Sequence, residues 1–359
     1  MVKIPMTELN RLIGFRRLHH QRISSQQFAS PDAVVRWMGA MQAQDYAQVV
    51  WAVGARTQHP ALSAVEQAVA DGKIICTWAM RGTIHFVPPE NARWMLKWLA
   101  ARVVDASDRR LKQLELTQSD IHRCRDLCEN ALQGGKRLTR DQLLEVFDQG
   151  GIAMTGQRGY HILTQLAQRG VICMGAREGK QQTFVLLEEW IAPAPTISRE
   201  EALATIARIY FTSHAPATEY DLAWWVGTTI SDARLGIAGA GDALRRETID
   251  GQTYFMGSEN EPVATAESAY LLPGFDEFLL GYKDRGAVVT PDHMQRIVPG
   301  NNGVFRPMIV VDGQIIGTWT RAVKKGHTEV TCTPFTQLSD THLALTNAAA
   351  QSYANFQRA

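Results

Sequence analysis

Apolar positions recur along this chain at helical spacing in short runs, and each run is bounded by capping residues, glycines or alternating stretches. Ser30 and Pro31 suit an N-cap and a first helical position, and Val34, Val35, Trp37, Met38 and Met41 follow on one face. Ser63-Ala-Val-Glu66 reads as a capping box whose helix ends at Asp71-Gly72. Residues 74–80 and 83–87 then read as strand and strand around Arg81-Gly82. Helices followed by a hairpin are the order of a winged helix.

The order repeats. A helix over 118–133 stops at Gly134-Gly135, and Thr139-Arg-Asp-Gln142 opens another through a capping box. A helix from about 156 to Arg169 precedes strands at 171–174 and 183–187. Pro193 and Pro195 mark a linker, and Ser198-Arg-Glu-Glu201 is a further capping box. Short helices over 221–226 and 231–238 lead to strands joined by Asp250-Gly251, a type I′ hairpin signal. Beyond about 261 the pattern is strand-rich. Asp312-Gly313 joins 308–311 to 314–319, Lys324 to His327 form a second hairpin tip, and a helix from about 340 follows. The reading is an α+β chain of three tandem winged-helix domains at 1–105, 106–192 and 193–260, then a small β-barrel-like domain at 261–359.

With 359 residues the chain holds two to four domains. Its formal net charge of +1 supplies no global field for nucleic acid. Residues 1–110 carry 14 Lys/Arg against 8 Asp/Glu, which permits a local basic face. The five cysteines match no zinc or disulfide spacing, and Cys124 and Cys128 share a helix face where packing is their natural role. No charged-then-apolar leader and no long apolar run is seen, so a cytoplasmic protein that meets no membrane is expected. No metal cluster, phosphate-cradling loop or nucleotide fingerprint stands out, and no cofactor is expected. No sustained heptad suggests dimerisation, and a monomer is expected.

Candidate chemistry centres on Met41-Gln-Ala-Gln-Asp45. A Gln amide does not titrate, but it holds water and presents a carbonyl dipole to developing positive charge. Residues two apart face together only in an extended segment, so Gln42 and Gln44 act together only outside a helix. Otherwise they are surface amides. Asp45 is the rival, a true carboxylate base beside them. Asp276 and Glu277 are a second carboxylate pair. Neighbours point to different faces, which argues against a dyad and makes Asp276 a loop anchor. Arg16, Arg17, His19, His20 and Arg22 form a basic cluster that either meets DNA backbone or is an exposed helix face. Tandem winged helices hold duplex DNA in many proteins, yet they also serve as protein-interaction modules.

Four segments carry a resemblance over nearly the whole length. They are the Gln-x-Gln triplet, Trp78-Ala-Met-Arg-Gly-Thr-Ile-His-Phe-Val-Pro88, Leu271-Leu-Pro-Gly-Phe-Asp-Glu-Phe-Leu-Leu-Gly-Tyr-Lys-Asp-Arg285 and Val311-Asp-Gly-Gln-Ile-Ile-Gly-Thr-Trp319. On these the chain resembles the AlkZ/YcaQ family of winged-helix DNA glycosylases. With Gln44 in the third position, it resembles the AlkZ branch, where the other branch carries Gln-x-Asp. The resemblance implies a C-shaped arrangement of three winged helices and a β-domain. It implies double-stranded DNA with alkylated bases as partner, excision of N7-alkylated purines, and unhooking of interstrand crosslinks. It assigns Gln42 and Gln44 to catalysis. It also places Arg81, Thr83 and His85 of the first wing, and Lys324, Lys325 and His327 of the last hairpin, on DNA. A monofunctional enzyme follows, since no lysine stands in the motif for Schiff-base chemistry. The competing readings are a non-catalytic winged-helix DNA-binding regulator and a protein-interaction scaffold.

Overall fold

The computed structural model describes residues 6–25, 28–259, 262–324 and 327–359. Contact density divides the chain into two units, one formed by residues 1–65 with 203–359 and the other by 66–202. The division by element order, with its boundaries at 105, 192 and 260, is thus not the division by packing.

In the unit 66–202 two hairpins meet in one antiparallel sheet. Its strands run in the order Thr83–Val87, Ile75–Met80, Ile172–Met174, Thr183–Leu186 and Leu138–Thr139. Cys76 lies opposite Met174, so the two expected wings are neighbours in a single sheet. Ile75–Met80 is buried along its whole length, as a central strand should be. Helices Gln118–Leu132 and Arg140–Gln149 both start from complete capping boxes, at Thr117 with Asp120 and at Thr139 with Gln142. Cys124 and Cys128 line the buried stripe of the first of these with Ile121 and Leu132.

In the other unit, a second antiparallel sheet runs His327–Pro334, Gln314–Lys324, Met308–Val311 and Ala269–Leu272. The barrel expected at 261–359 is not formed. The sheet is open, and helix Asp340–Phe356 packs across it, with Tyr353 edge-on to Trp319 at 4.6 Å. A covering helix buries the apolar face, so closure is not needed to keep it from water. The turn Asp312-Gly313 has φ of 49° and 76°, and a Cβ on Gly313 would lie 2.6 Å from the Gly14 carbonyl carbon. Backbone therefore meets backbone where helix Met6–His20 crosses this hairpin, and the Asp312 carboxylate receives the Arg11 guanidinium there.

Three local expectations are corrected. Ser63 does not cap a helix. The helix Leu62–Ala70 already contains it, and its hydroxyl donates to the Ala359 carbonyl at 2.7 Å. The helix expected at 221–226 begins at Glu219, because Thr218 and Asp221 make the capping box with Asp in place of Glu. The basic cluster near the N-terminus is not a solvated helix face. Arg17, His19, His20 and Arg22 are all buried, Arg17 stacked 3.5 Å over the Tyr282 ring and Arg22 4.2 Å over Trp37.

Candidate active site

Helix Pro31–Met38 stops at Gly39, whose φ of 75° turns the chain out of the helix. A Cβ there would lie 2.3 Å from a methyl of Ile209, so a side chain would meet both strain and a wall. Beyond Gly39 comes a two-residue strand, Met41–Gln42, and the chain bends at Gln44 and Asp45. Met41 and Ala43 are buried, whereas Gln42 is half-buried and Gln44 exposed. Burial thus alternates over residues 41–44, with Ala43 in the core between the two amides. The stretch ends at Asp45, the N-cap of helix Tyr46–Gly54, where its carboxylate accepts the Ala47 N–H at 3.0 Å. Asp45 thus already holds a helix start, which is what an N-cap aspartate does.

Behind this segment lies the second carboxylate pair, and its members part company. Asp276 meets Arg56 in a fully buried bidentate ion pair, at 2.9 and 3.0 Å, and caps helix Glu277–Leu280 by accepting the Phe278 N–H. Arg56 also donates to the Gln21 and Ala52 carbonyls and to the Gln21 side chain. Glu277, 1% exposed, turns the other way. One of its oxygens accepts the backbone N–H of Gln42 at 3.0 Å and the other the indole N–H of Trp225 at 2.8 Å. The Gly274 N–H donates to the side-chain carbonyl of Gln48 at 2.9 Å, tying the same loop to the next helical turn.

His214 closes the buried side of this group. It stacks on Tyr210 and leans against Trp225. Ser213 spends its hydroxyl proton on the Ile209 carbonyl, so it can only accept from His214 Nδ1. Nε2 then faces Glu277 at 3.6 Å without a hydrogen bond. Burial lowers the His214 pKa, and the Glu277 carboxylate offsets this only in part.

The residues assigned to DNA are less alike than the sequence suggested. Arg81 and Gly82 form the turn between Ile75–Met80 and Thr83–Val87, with φ of 54° and 72°. His85 is buried, its Nδ1 2.9 Å from the Thr83 carbonyl and its Nε2 3.3 Å from Arg81 Nη2. A carbonyl only accepts and a guanidinium only donates, so this His is neutral with its proton on Nδ1. It supports Arg81 from below, while Arg81 and Thr83 keep partial exposure. At the last hairpin Lys324 is exposed and pairs with Glu329 at 2.6 Å, and exposed His327 takes a contact from Arg358 at 3.2 Å. Lys325 lies outside the described residues. Gln42, Gln44, Lys324 and His327 belong to one compact unit, and Arg81, Thr83 and His85 to the other.

Sequence reasoning missed Gln48 and Trp225 and did not connect Glu277 to the triplet. The Leu271–Arg285 stretch had marked the region, but bonds spanning 226, 52 and 235 positions leave no local pattern to read. Burial holds the thiols of Cys76, Cys124 and Cys128 up at about 12, and all five cysteines are free. Among the described residues no group of three His, Cys, Asp or Glu could hold a metal ion, and no helix is long and apolar enough to cross a membrane.

This mixed α/β chain has counterparts among the DNA glycosylases. The family described as DNA glycosylase AlkZ-like matches residues 35–356, and the chain belongs to that family. The interstrand DNA cross-link repair glycosylase of Streptomyces sahachiroi is 29% identical over 328 residues, spanning 84% of this chain and 85% of the relative. The solved structure of Streptomyces sahachiroi DNA glycosylase AlkZ superposes with a TM-score of 0.79 at 26% identity, covering 96% of each chain.

Proposed function

We propose that this protein is a monofunctional DNA glycosylase that excises N7-alkylated purines from duplex DNA, with Gln42 and Gln44 as its catalytic pair. Alkylation at N7 makes the purine cationic and a good leaving group, so no general acid is required to protonate it. As the glycosidic bond breaks, the sugar gains oxocarbenium character. In this reading the Gln44 carbonyl orients the water that attacks C1′, and Gln42 supports the same water or the sugar. Fixed carbonyl dipoles also stabilise the developing positive charge without reorganising. The reading rests on one observation above all: Met41 and Ala43 are buried while Gln42 keeps partial exposure and Gln44 is exposed.

Tandem winged helices are the frame in which we place this site. Arg81 and Thr83 on one hairpin, and Lys324 and His327 on another, are cationic or hydrogen-bonding groups suited to phosphate contacts that position the duplex. His85 serves that task by holding Arg81. Interstrand crosslinks joined through N7 present the same cationic purine to the same amides, and the relative named as a cross-link repair glycosylase supports extending the substrate range to them.

The test is release of N7-methylguanine from a defined duplex, read as alkali-induced strand cleavage under single-turnover conditions. Gln44→Ala should fold normally and excise about a hundred- to a thousandfold more slowly, the loss typical of removing one preorganised dipole at a transition state. Excision at the wild-type rate in that variant would overturn the assignment. Operator-like binding to undamaged DNA with no base release would replace it with a regulator.

A further inference from the structure

We infer that Glu277 is a positioning residue for Gln42, acting as a buried anionic clamp on the backbone of the catalytic segment. The inference rests on the reading of Gln42 and Gln44 given above. The extended stretch that carries the two amides is only two residues of strand, Met41–Gln42, between a helix end and a helix start. So short a piece has little stiffness of its own. Residues 274–277 hold this segment and the helix after it at three points. The Gly274 N–H holds Gln48, Asp276 holds Arg56 and Glu277 holds the Gln42 amide. Together the three attachments bracket the motif and the helix after it.

Glu277 is the member of this cradle that touches the motif itself. Its two oxygens meet two donors of different rigidity. The indole N–H belongs to Trp225, a fully buried ring wedged against Tyr210 at 4.9 Å and His214 at 5.0 Å. That ring fixes one oxygen, and the fixed carboxylate then fixes the peptide N–H of Gln42. Hydrogen bonds to an ionised acceptor are shorter and stronger than neutral ones. Because side chains alternate along extended backbone, pinning the peptide plane at 42 also pins the side on which Gln42 emerges. The lever therefore runs from Trp225 through Glu277 to the Gln42 amide group, with no need for Glu277 to reach the substrate.

Glu277→Gln keeps the shape but replaces one acceptor oxygen with an N–H₂, which cannot receive either donor. One of the two N–H groups is then left facing a donor, and the clamp opens. Single-turnover excision from the N7-methylguanine duplex should fall by about tenfold to a hundredfold, the scale of a small misplacement of a reacting group. The dissociation constant for the same duplex should stay at its wild-type value. The discriminating measurement is the double variant with Gln42→Ala. If Glu277 works through the Gln42 side chain, Glu277→Gln costs little more once that side chain is gone. A merely structural role would give losses that multiply. Where Glu277→Gln fails to fold, Trp225→Phe frees one carboxylate oxygen and is read against Gln42→Ala in the same way. Wild-type excision by Glu277→Gln, or multiplicative losses in the double variant, would overturn the clamp. Should Gln44→Ala and Gln42→Ala also excise normally, the amide reading itself fails. Loss in the glutamine variants alone removes only the clamp.

Discussion

Residues 41–45 and 274–277 meet at a single hydrogen bond, yet they use polarity in opposite ways. The first segment buries its apolar residues and turns two uncharged amides outward. The second buries two carboxyl groups and gives each of them partners in the interior. A buried carboxylate is costly without partners; Asp276 has the Arg56 guanidinium, and Glu277 has two N–H donors. The difference shows how labour is divided. Charge serves as scaffold, where low dielectric makes its bonds directional and strong. The outward-facing groups are neutral, which suits the cationic purine proposed above as substrate.

The largest effect should come from breaking the scaffold side. Asp276→Ala leaves the Arg56 guanidinium buried with no anion opposite it and removes the cap of helix Glu277–Leu280. Loss of one partner of a fully buried pair costs about 3–5 kcal/mol. Chemical denaturation followed by tryptophan fluorescence should show a destabilisation of that order. A change below about 1 kcal/mol, the worth of a typical surface pair, would mean that the ion pair is not part of the scaffold.

A smaller effect sharpens the other side. Asp45→Asn retains a side-chain oxygen for the Ala47 N–H and removes the charge. Asn and Asp are nearly equivalent N-caps, so stability should change by no more than about 0.5 kcal/mol, whereas Asp45→Ala should lose about 1 kcal/mol. Excision of N7-methylguanine should stay within about threefold of wild type in Asp45→Asn, a change worth well under 1 kcal/mol of barrier. A collapse of the rate in that variant would make the carboxylate at 45 the general base and leave the amides as its neighbours.

What the sequence disclosed and what it hid divide along the same contrast. Hairpin turns were legible because Arg81-Gly82, Asp250-Gly251 and Asp312-Gly313 place paired residues at positive φ, a demand local enough to leave a mark in two letters. The capping boxes at Thr139 and Ser198 were legible for the same reason. The alternating burial of Met41 to Gln44 follows the period of two that extended backbone imposes. The partners of Glu277 and Asp276 were not legible, since Arg56 and Gln42 sit 220 or more residues away and even Trp225 is 52 away. The basic run from Arg16 to Arg22 misled because charge is read as exposure. Here aromatic faces at Tyr282 and Trp37 take up the buried cations instead. The open sheet was mistaken for a barrel because strand spacing does not reveal that Asp340–Phe356 lies across its face.

The subtlest way to probe the comparison is through the one titrating group between the two carboxylate-held partners. His214 touches Trp225 and faces Glu277, and it is buried in neutral form. Burial lowers its pKa; Glu277 and Asp276 pull it up, and Arg56 pushes it down. A lowered histidine pKa fixes the sign of the linkage. The unfolded chain takes up the proton near the ordinary histidine value of about 6.5, whereas the folded protein does not until a lower pH. Between those two values the unfolded state binds more protons, so stability falls as pH falls. Melting temperatures measured from pH 7.5 to 5.5 should therefore decline, in a window where carboxylates of ordinary pKa remain ionised. His161, whose pKa burial and Arg110 also lower, contributes a slope of the same sign. His214→Gln separates the two, because it removes the titration beside Glu277 and leaves that of His161. The variant should melt with a shallower pH dependence than wild type. An unchanged slope would show that His214 takes up its proton in the folded state as readily as in the unfolded one, and that the carboxylate of Glu277 has a cationic neighbour as Asp276 does.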